Sequence, residues 1–385
     1  MPMWLNHPRN PNAPLAGVKV LELARVLAGP WAGQMLADLG ADVIKVESLE
    51  GDGTRAWGPP WVEREDASGQ TRREAAYYHA CNRGKRSITA DFRSESDSDK
   101  VRDLAADADI VIENFLPGKL AKYGLDYASL TANNRGLIYC SITGFGQDGP
   151  RRDEAGYDFV IQGMCGFMSL NGDPEGDPTK FGVSISDLSC GLYAANAIQA
   201  ALLMRHRTGE GQHIDMSLLD CSVALLANQA TSYFATGQNP PRMGNAHAQV
   251  SAYGVFPTKD GPVVLAPAND NLFRKLLGLL ERDDLLLDER FASNEARVAN
   301  RAVVDAMIAE ATVSLNRDEL LAQCAKSGVP AGPINTLDQA FDDRQVIARG
   351  LQIELQGLPT VRSPFKFSDA ELALDRPSPM LGEDD

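Results

Sequence analysis

The chain has 385 residues, 44% of them hydrophobic, and a formal net charge of −15. This length allows two domains with apolar cores, whereas the acidic balance argues against nucleic-acid binding, which needs a basic surface. No apolar run approaches the ~20 residues that span a bilayer, and the N-terminal residues lack the apolar segment of a secretory signal. We therefore expect a cytoplasmic protein with no membrane partner.

The first part of the chain alternates predicted strands and helices. A β-prone run at residues 18–23 precedes Pro30, which suits the first turn of a helix at 31–39, and a second strand follows at 41–46. This βαβ unit is the start of a parallel sheet covered by helices. The same alternation predicts strands at 86–92, 109–113, 137–143 and 212–216, with helices at 97–106 and 188–207.

These elements predict a Rossmann-like, doubly wound α/β large domain over residues 1–205. We expect a linker helix at 206–228 and a smaller α+β domain at 229–328, where short β segments and charged amphipathic helices occur. Glycines and prolines at 328–333 indicate a boundary. The segment 329–385 has only short elements, so we expect it to return and pack on the large domain.

Two common cofactor patterns are not supported. Gly144, Gly146 and Gly149 match the glycine spacing of a dinucleotide loop, but Pro150 follows and no helix opens there to hold a pyrophosphate. The six cysteines and five histidines show no metal-binding spacing. We therefore expect neither NAD nor FAD nor a metal.

Asp187 is the most informative residue, because it stands where the long predicted helix begins, among small residues such as Ser186 and Gly191. The commonest use of an aspartate there is as a helix N-cap. The same position also suits a nucleophilic carboxylate, since the helix dipole stabilises its charge and small neighbours admit a substrate. The residues alone leave both interpretations open.

Several separated segments, in order from about residue 15 to 382, together resemble the class III CoA-transferase family (CaiB/BaiF type). Within it, residues 55–61, 138–144 and 332–335 look most similar to the succinyl-CoA:glutarate branch. The segments that carry the family resemblance are residues 15–23, 25–30, 41–47, 51–55, 82–87, 113–118, 156–158, 183–188, 207–212 and 244–247.

The resemblance implies that Asp187 is the covalent nucleophile, which passes through an aspartyl anhydride and an aspartyl-CoA thioester. A mobile loop of the small domain, formed by Gly244, Asn245, Ala246 and His247, is implied to cover it and to supply oxyanion donors. Members of the family form interlocked, ring-like dimers, so a homodimer is expected. The donor is expected to be succinyl-CoA and the acceptor a dicarboxylic acid.

The resemblance also implies the contacts to CoA, which is expected as a substrate. The phosphates of CoA need local cations in this acidic chain, and one further cation is needed for the distal carboxylate of a dicarboxylic acid. The residues expected to contact CoA are Arg55, Arg83, Lys85, Arg86, Asn114, Lys122 and Asp158, and those expected to contact the acid are Arg25 and Leu27.

Other functions remain open at this stage. The related α-methylacyl-CoA racemases use a histidine where this chain has Tyr157, so a racemase would lack one of its two bases. A non-catalytic acyl-CoA-binding protein would bind the thioester without transfer. A nucleotide-dependent oxidoreductase would respond to NAD or FAD.

Overall fold

The computed structural model describes residues 4–66 and 68–385. Its strands are short, with three to six residues each. They are β1 (Lys19–Glu22), β2 (Asp42–Glu47), β3 (Trp61–Glu65), β4 (Thr71–Ala75), β5 (Arg86–Thr89), β6 (Ile110–Glu113), β7 (Ile138–Thr143), β8 (His213–Ser217), β9 (Gly254–Thr258), β10 (Gly261–Leu265), β11 (Ala331–Pro333), β12 (Gln352–Leu355) and β13 (Leu358–Val361).

The helices range from single turns to one of 24 residues. Short 3₁₀ turns occur at Gly53–Ala56, Ala121–Tyr123, Asp283–Leu287 and Glu289–Phe291. The α-helices are α1 (Ala28–Asp38), α2 (Ala76–His79), α3 (Glu95–Ala106), α4 (Tyr127–Thr131), α5 (Asp158–Met164), α6 (Phe167–Leu170), α7 (Ile185–Thr208), α8 (Leu218–Ala224), α9 (Ala227–Thr236), α10 (Asp270–Leu279), α11 (Asn294–Ala299), α12 (Arg301–Thr312), α13 (Arg317–Ser327), α14 (Leu337–Phe341) and α15 (Arg344–Ala348).

A six-stranded parallel sheet organises the first unit, in the order β5-β2-β1-β6-β7-β8. This is the doubly wound order, in which the chain turns back between β1 and β6. Loops that leave β1 and β6 at their carboxyl ends therefore diverge, and a cleft opens between them. The expected parallel α/β architecture is confirmed.

Apolar side chains on both faces of this sheet build two cores. One core packs α1 and α7 against alternate residues such as Ile112 and Cys140, and the other packs α3 and α4 against residues such as Val111 and Tyr139. Helices α1 and α7 cross closely because Gly191 has no side chain: a Cβ there would lie 2.7 Å from the Ala28 carbonyl oxygen. This close crossing places the first turn of α7 beside the first turn of α1.

The second unit has its own sheet and core. Strands β9 and β10 form an antiparallel pair, β11 pairs with the other edge of β10, and α10, α12 and α13 supply buried apolar residues. The unit comprises residues 169–179 and 239–347, and the first unit comprises the remaining described residues.

The division of the chain differs from the expected one at two places. The supposed linker at 206–228 contains β8, which pairs with β7 at the edge of the main sheet. The expected boundary at 328–333 contains β11, whose backbone pairs with β10, so the chain rejoins the first unit only after residue 347. Within the described residues, no helix is both long and apolar enough to cross a membrane.

Candidate active site

A cavity of about 510 Å³ lies in the first unit at the carboxyl edge of the sheet, where the loops after β1, β6 and β7 meet the first turn of α7. This is the switch point at which doubly wound sheets bind their ligands. Four residues predicted from the sequence come together here. The lining, which defines the Asp187 cavity, includes Arg25, Leu27, Trp57, Asn114, Phe115, Leu116, Lys119, Thr143, Gly144, Gly156, Tyr157, Asp187 and Leu218.

Asn114 bridges the two loops at the switch point. Its side-chain oxygen accepts the backbone N–H of Arg25 at 2.9 Å, and its amide nitrogen donates to the Arg25 carbonyl oxygen at 2.7 Å. The Arg25 guanidinium lies 4.7 Å from the centroid of the Phe115 ring. Asn114 therefore fixes the cavity wall through backbone bonds, in addition to any contact with a ligand.

The loop after β1 is held in an unusual conformation at its next residue. Val26 has a φ of 71°, which is rare for a β-branched residue. Its N–H donates to the Asp52 carboxylate at 3.0 Å, and Asp52 is itself paired with Lys45 at 3.0 Å. Burial opposes ionisation of Asp52, but the Lys45 ammonium and the hydrogen bonds from Thr54 outweigh it and lower the pKa of Asp52 to about 2.

Asp187 occupies the first turn of α7 as its third residue, so it is not the N-cap, a position taken by Ser184. Within residues 4–66 and 68–385, no group donates a hydrogen bond to its carboxylate. Burial and the negative charge of Asp158 raise the pKa of Asp187 to about 7, while the positive end of α7 acts in the opposite direction. The result is a poorly solvated carboxylate that faces a cavity.

Asp158 supports this arrangement from the first turn of α5. Its carboxylate accepts the N–H of Ser186 at 2.9 Å and the amide of Gln162 at 2.7 Å. It therefore fixes the backbone directly before Asp187. The structure places Asp158 outside the lining of the cavity.

Four of the cations expected to bind phosphate are instead buried in ion pairs. Arg83 contacts Asp38 at 2.5 Å, Arg86 contacts Asp42 at 2.6 Å, Arg55 contacts Glu47 at 2.6 Å and also pairs with Glu74, and Lys85 contacts Glu22 at 2.8 Å. Their charges are compensated inside the first unit, so this set does not form the expected phosphate patch. The sequence shows where a cation is but not whether an acid from another strand already neutralises it.

A second cavity of about 250 Å³ shares Arg25 and Phe115 with the first. It also contains Tyr123, and we call it the Tyr123 cavity. Lys122 lies next to it, with its ammonium 4.6 Å from the Tyr123 ring centroid. Lys122 is therefore a predicted phosphate-binding cation beside the Tyr123 cavity, whereas Arg55 lines a separate cavity with residues 380–383.

The segment Gly244–His247 belongs to the second unit. Gly244 has a φ of +56° and donates its N–H to the Gly172 carbonyl oxygen at 3.1 Å. The Nδ1 atom of His247 accepts the Gln249 N–H at 3.1 Å, and its ring lies 5.3 Å from that of Tyr253. These contacts stabilise a turn within the second unit. A role of this segment in the reaction stays a prediction.

Several cavity residues are missing from the sequence-based set. Lys119 directly follows one of the recognised segments, so a search for cations beside that segment would have found it. Gly144 and Gly156 are brought together only by folding: a Cβ on Gly144 would lie 2.5 Å from the Gly156 Cα. Tyr77 contacts Trp57 edge to face at 5.3 Å, and no sequence pattern predicts that pair.

Comparisons with known proteins show the family of this chain. Residues 15–385 match the family described as CoA-transferase family III. The chain belongs to that family. It is 54% identical over 380 residues to a succinate–glutarate CoA-transferase of Agrobacterium fabrum. The aligned residues cover 97% of this chain and 94% of the relative.

Two further relatives support the assignment. A succinyl-CoA:glutarate CoA-transferase of Homo sapiens is 38% identical over 390 residues, or 99% of this chain and 87% of the relative. A crystal structure of a CaiB/BaiF family protein from Brucella suis superposes with a TM-score of 0.87 at 59% identity and covers 97% of both chains. The protein is thus a class III CoA-transferase. This function is favoured over the alternatives of a racemase, a non-catalytic acyl-CoA-binding protein and an oxidoreductase.

The raised pKa of Asp187 predicts how this transferase responds to Asp187→Asn. In the unfolded chain the group ionises near pH ~4, so ionisation costs the folded state more as the pH rises from there towards 7. We expect Asp187→Asn to raise the free energy of unfolding by roughly 1–4 kcal/mol at pH 8, and by less at pH 5. Urea unfolding at both pH values measures the difference.

Asp220→Asn is the matched control, because Asp220 is an exposed carboxylate in the first turn of α8. This variant is expected to lose a little stability at both pH values, since it only removes a favourable interaction with a helix N-terminus. If Asp187→Asn behaved in the same way as Asp220→Asn, Asp187 would not be a destabilised carboxylate.

Proposed function

We propose that this CoA-transferase moves CoA from succinyl-CoA to glutarate or a related dicarboxylic acid, with Asp187 as the covalent nucleophile. The observation that carries the proposal is the Asp187 carboxylate, which lacks a hydrogen-bond donor among the described residues and lines the cavity at the switch point. The named reactions of the relatives from A. fabrum and H. sapiens support the two acids.

The reaction proceeds in four steps without net hydrolysis. The Asp187 carboxylate attacks the thioester carbonyl carbon, which forms a mixed anhydride and releases the CoA thiolate. The thiolate attacks the aspartyl carbonyl of the anhydride, which forms an aspartyl-CoA thioester and releases succinate. The acceptor carboxylate then attacks this thioester, and the released thiolate attacks the acceptor side of the second anhydride, which restores Asp187.

Each attack creates an oxyanion that needs N–H donors. The first turn of α1 lies at the wall of the Asp187 cavity, and its N-cap, Leu27, has no side chain that occupies the free N–H groups. This helix end is suited to a developing negative charge. Buried apolar neighbours such as Leu27 and Leu218 limit water, which would otherwise hydrolyse the anhydride.

The CoA moiety is proposed to extend from the Asp187 cavity into the Tyr123 cavity, because Arg25 and Phe115 line both. Aromatic residues in the Tyr123 cavity suit a stacked adenine ring, and Lys122 beside it suits a phosphate. Asn114 contributes by holding Arg25 in place.

Arg25 is the proposed partner of the distal carboxylate of a dicarboxylic acid. Arg25 and Lys119 are the cationic side chains in the lining of the Asp187 cavity, and neither forms an ion pair with a described residue. Because Arg25 stacks on Phe115 and is fixed through its backbone by Asn114, it presents an ordered guanidinium.

A homodimer is also proposed, as the family resemblance implies. Apolar side chains stand exposed on helices of the first unit, among them Phe159, Leu203 and Phe234, which are 59%, 69% and 80% exposed. Large apolar side chains exposed on several helices are available to an association surface. We expect light scattering to give twice the chain mass in solution, and a mass of one chain would contradict the proposal.

Transfer is tested by mass spectrometry of the CoA thioesters. Purified enzyme receives succinyl-CoA with glutarate, oxalate, citramalate, mesaconate, itaconate or carnitine, and glutaryl-CoA is expected to form fastest. Asp187→Asn is expected to reduce the rate on the order of 10³-fold or more. In the absence of an acceptor, rapid quenching and borohydride reduction of the thioester are expected to label the peptide that contains Asp187.

Two results would contradict parts of this proposal separately. Equal transfer by the wild type and Asp187→Asn would remove Asp187 as the nucleophile. Transfer to an acid other than a dicarboxylate, with the label still on Asp187, would keep the mechanism and change the acceptor.

The role of Arg25 predicts a selective effect on acceptors. Arg25→Met should raise the KM for glutarate roughly 10- to 100-fold, because a carboxylate loses a charge-assisted partner, while the KM for a monocarboxylic acceptor such as butyrate should change little. Lys119→Met is the matched control, since it removes the other cation of the same cavity. A larger effect of Lys119→Met would reassign the distal carboxylate to Lys119.

A further inference from the structure

The turn after β6 forms a wall between three cavities. Phe115 lines the Asp187 and Tyr123 cavities, and Leu116 lines the Asp187 cavity and a third cavity of about 230 Å³. The third cavity, which we call the His213 cavity, also contains Glu113, Ser141 and His213. The Asp187 and Tyr123 cavities together form the proposed substrate groove. A residue that fixes this turn therefore shapes the wall of the groove from the side opposite to the substrate.

Glu113 is the residue that holds the turn. It is the last residue of β6, and its carboxylate accepts the Phe115 N–H at 2.8 Å. Asn114, between them, exchanges the two backbone hydrogen bonds with Arg25. The Glu113 bond thus closes the turn that presents Asn114 and Phe115 to the groove.

The other contacts of Glu113 lie on the side of the His213 cavity. Ser141, its register partner on β7, hydrogen-bonds to the carboxyl group, and the Ser141 hydroxyl lies 2.9 Å from Nε2 of His213. The His213 ring stacks on Tyr127 at 5.0 Å. Glu113 is only 5% exposed, and no described cation forms an ion pair with it.

A carboxyl group that is buried in this way destabilises the folded state when it ionises. Burial raises the pKa of Glu113 to about 7, with the hydrogen bonds from Ser141 and Phe115 opposing it. Its ionisation therefore destabilises the folded state as the pH rises from about 4 towards 7. The carboxyl group supplies what an apolar residue could not, namely the hydrogen bonds to Phe115 and Ser141.

We propose that Glu113 is a positioning residue for the binding of the CoA thioester, acting through the Phe115 N–H to fix the wall formed by Asn114, Phe115 and Arg25. It does not contact the substrate, since it lines the His213 cavity and not the Asp187 cavity. This inference rests on the proposed use of the groove by CoA. It assigns a function to a side chain that takes no part in the covalent steps.

The test compares two substitutions of Glu113, one of which keeps a hydrogen-bond acceptor and one of which does not. Glu113→Gln keeps an acceptor oxygen for Phe115, whereas Glu113→Met keeps the volume and removes the acceptor. We expect Glu113→Met to raise the KM for succinyl-CoA about 10-fold or more, with kcat within about 3-fold of the wild type, because Asp187 is untouched. Glu113→Gln should keep both constants within about 3-fold and should melt at a higher temperature at pH 8.

Val111→Ala is the control for simple loss of stability. Val111 is fully buried on the same strand, two residues before Glu113, and lines none of the three cavities. It should lower the melting temperature without a change in the KM. Equal KM effects of Val111→Ala and Glu113→Met, or of Glu113→Gln and Glu113→Met, would overturn the proposal.

Calorimetric binding of succinyl-CoA to the same variants separates this inference from the proposed function. The Kd for succinyl-CoA should rank the variants in the same order as the KM does, even if glutarate is not the acceptor. A wild type that bound no succinyl-CoA would refute both this inference and the proposed function. If Glu113→Met is too unstable to purify, Ser141→Ala replaces it. Loss of one of the two hydrogen bonds to Glu113 should raise the Kd a few-fold, and an unchanged Kd would overturn the proposal.

Discussion

The divergence of the chain between β1 and β6 is the constraint on which the site depends. The connection after β1 packs α1 on one face of the sheet, whereas the connection after β6 packs residues such as Leu120 and Leu125 on the other face. The loops after these two adjacent strands therefore separate at the carboxyl edge of the sheet, and the gap between the loops is bridged by the Asn114–Arg25 hydrogen bonds. Helix α7, which carries Asp187, reaches this gap only because it crosses α1 at a glycine.

Electrostatics in the first unit are arranged in two separate layers. The inner layer is a set of buried ion pairs in which Lys45 joins Glu22 on β1 to Asp52, and Asp52 in turn holds the Val26 N–H. Burying such pairs brings little net stability, but removal of one partner would leave an uncompensated charge, so they fix geometry. The outer layer consists of Arg25 and Lys119, which line the Asp187 cavity and form no ion pair with a described residue.

Asp187 and Glu113 show how one scaffold uses two buried carboxyl groups differently. Burial raises the pKa of both to about 7. Glu113 accepts hydrogen bonds that fix a turn, while no described residue donates one to Asp187. In the proposed mechanism, this absence of donors leaves the Asp187 lone pairs available for attack on a carbonyl carbon. Asp158 keeps the backbone before Asp187 in place.

The local sequence determined the strands, the long helix and the position of Asp187 at the start of that helix, because periodicity, proline and glycine act over a few neighbouring residues. It placed β6 and β7 within a residue of their observed bounds. Gly144, which has the glycine spacing of a dinucleotide loop, packs on Gly156 in the fold. The sequence also identified four residues of the Asp187 cavity through the resemblance to a family. Only the tertiary structure decided which cations were free: Arg55, Arg83, Lys85 and Arg86 look like phosphate ligands in the chain but are neutralised by acids from other segments. Pairing between strands and the burial of charge depend on residues far apart in sequence, and for that reason the positions of β8, β11 and Glu113 in the architecture came from the fold alone.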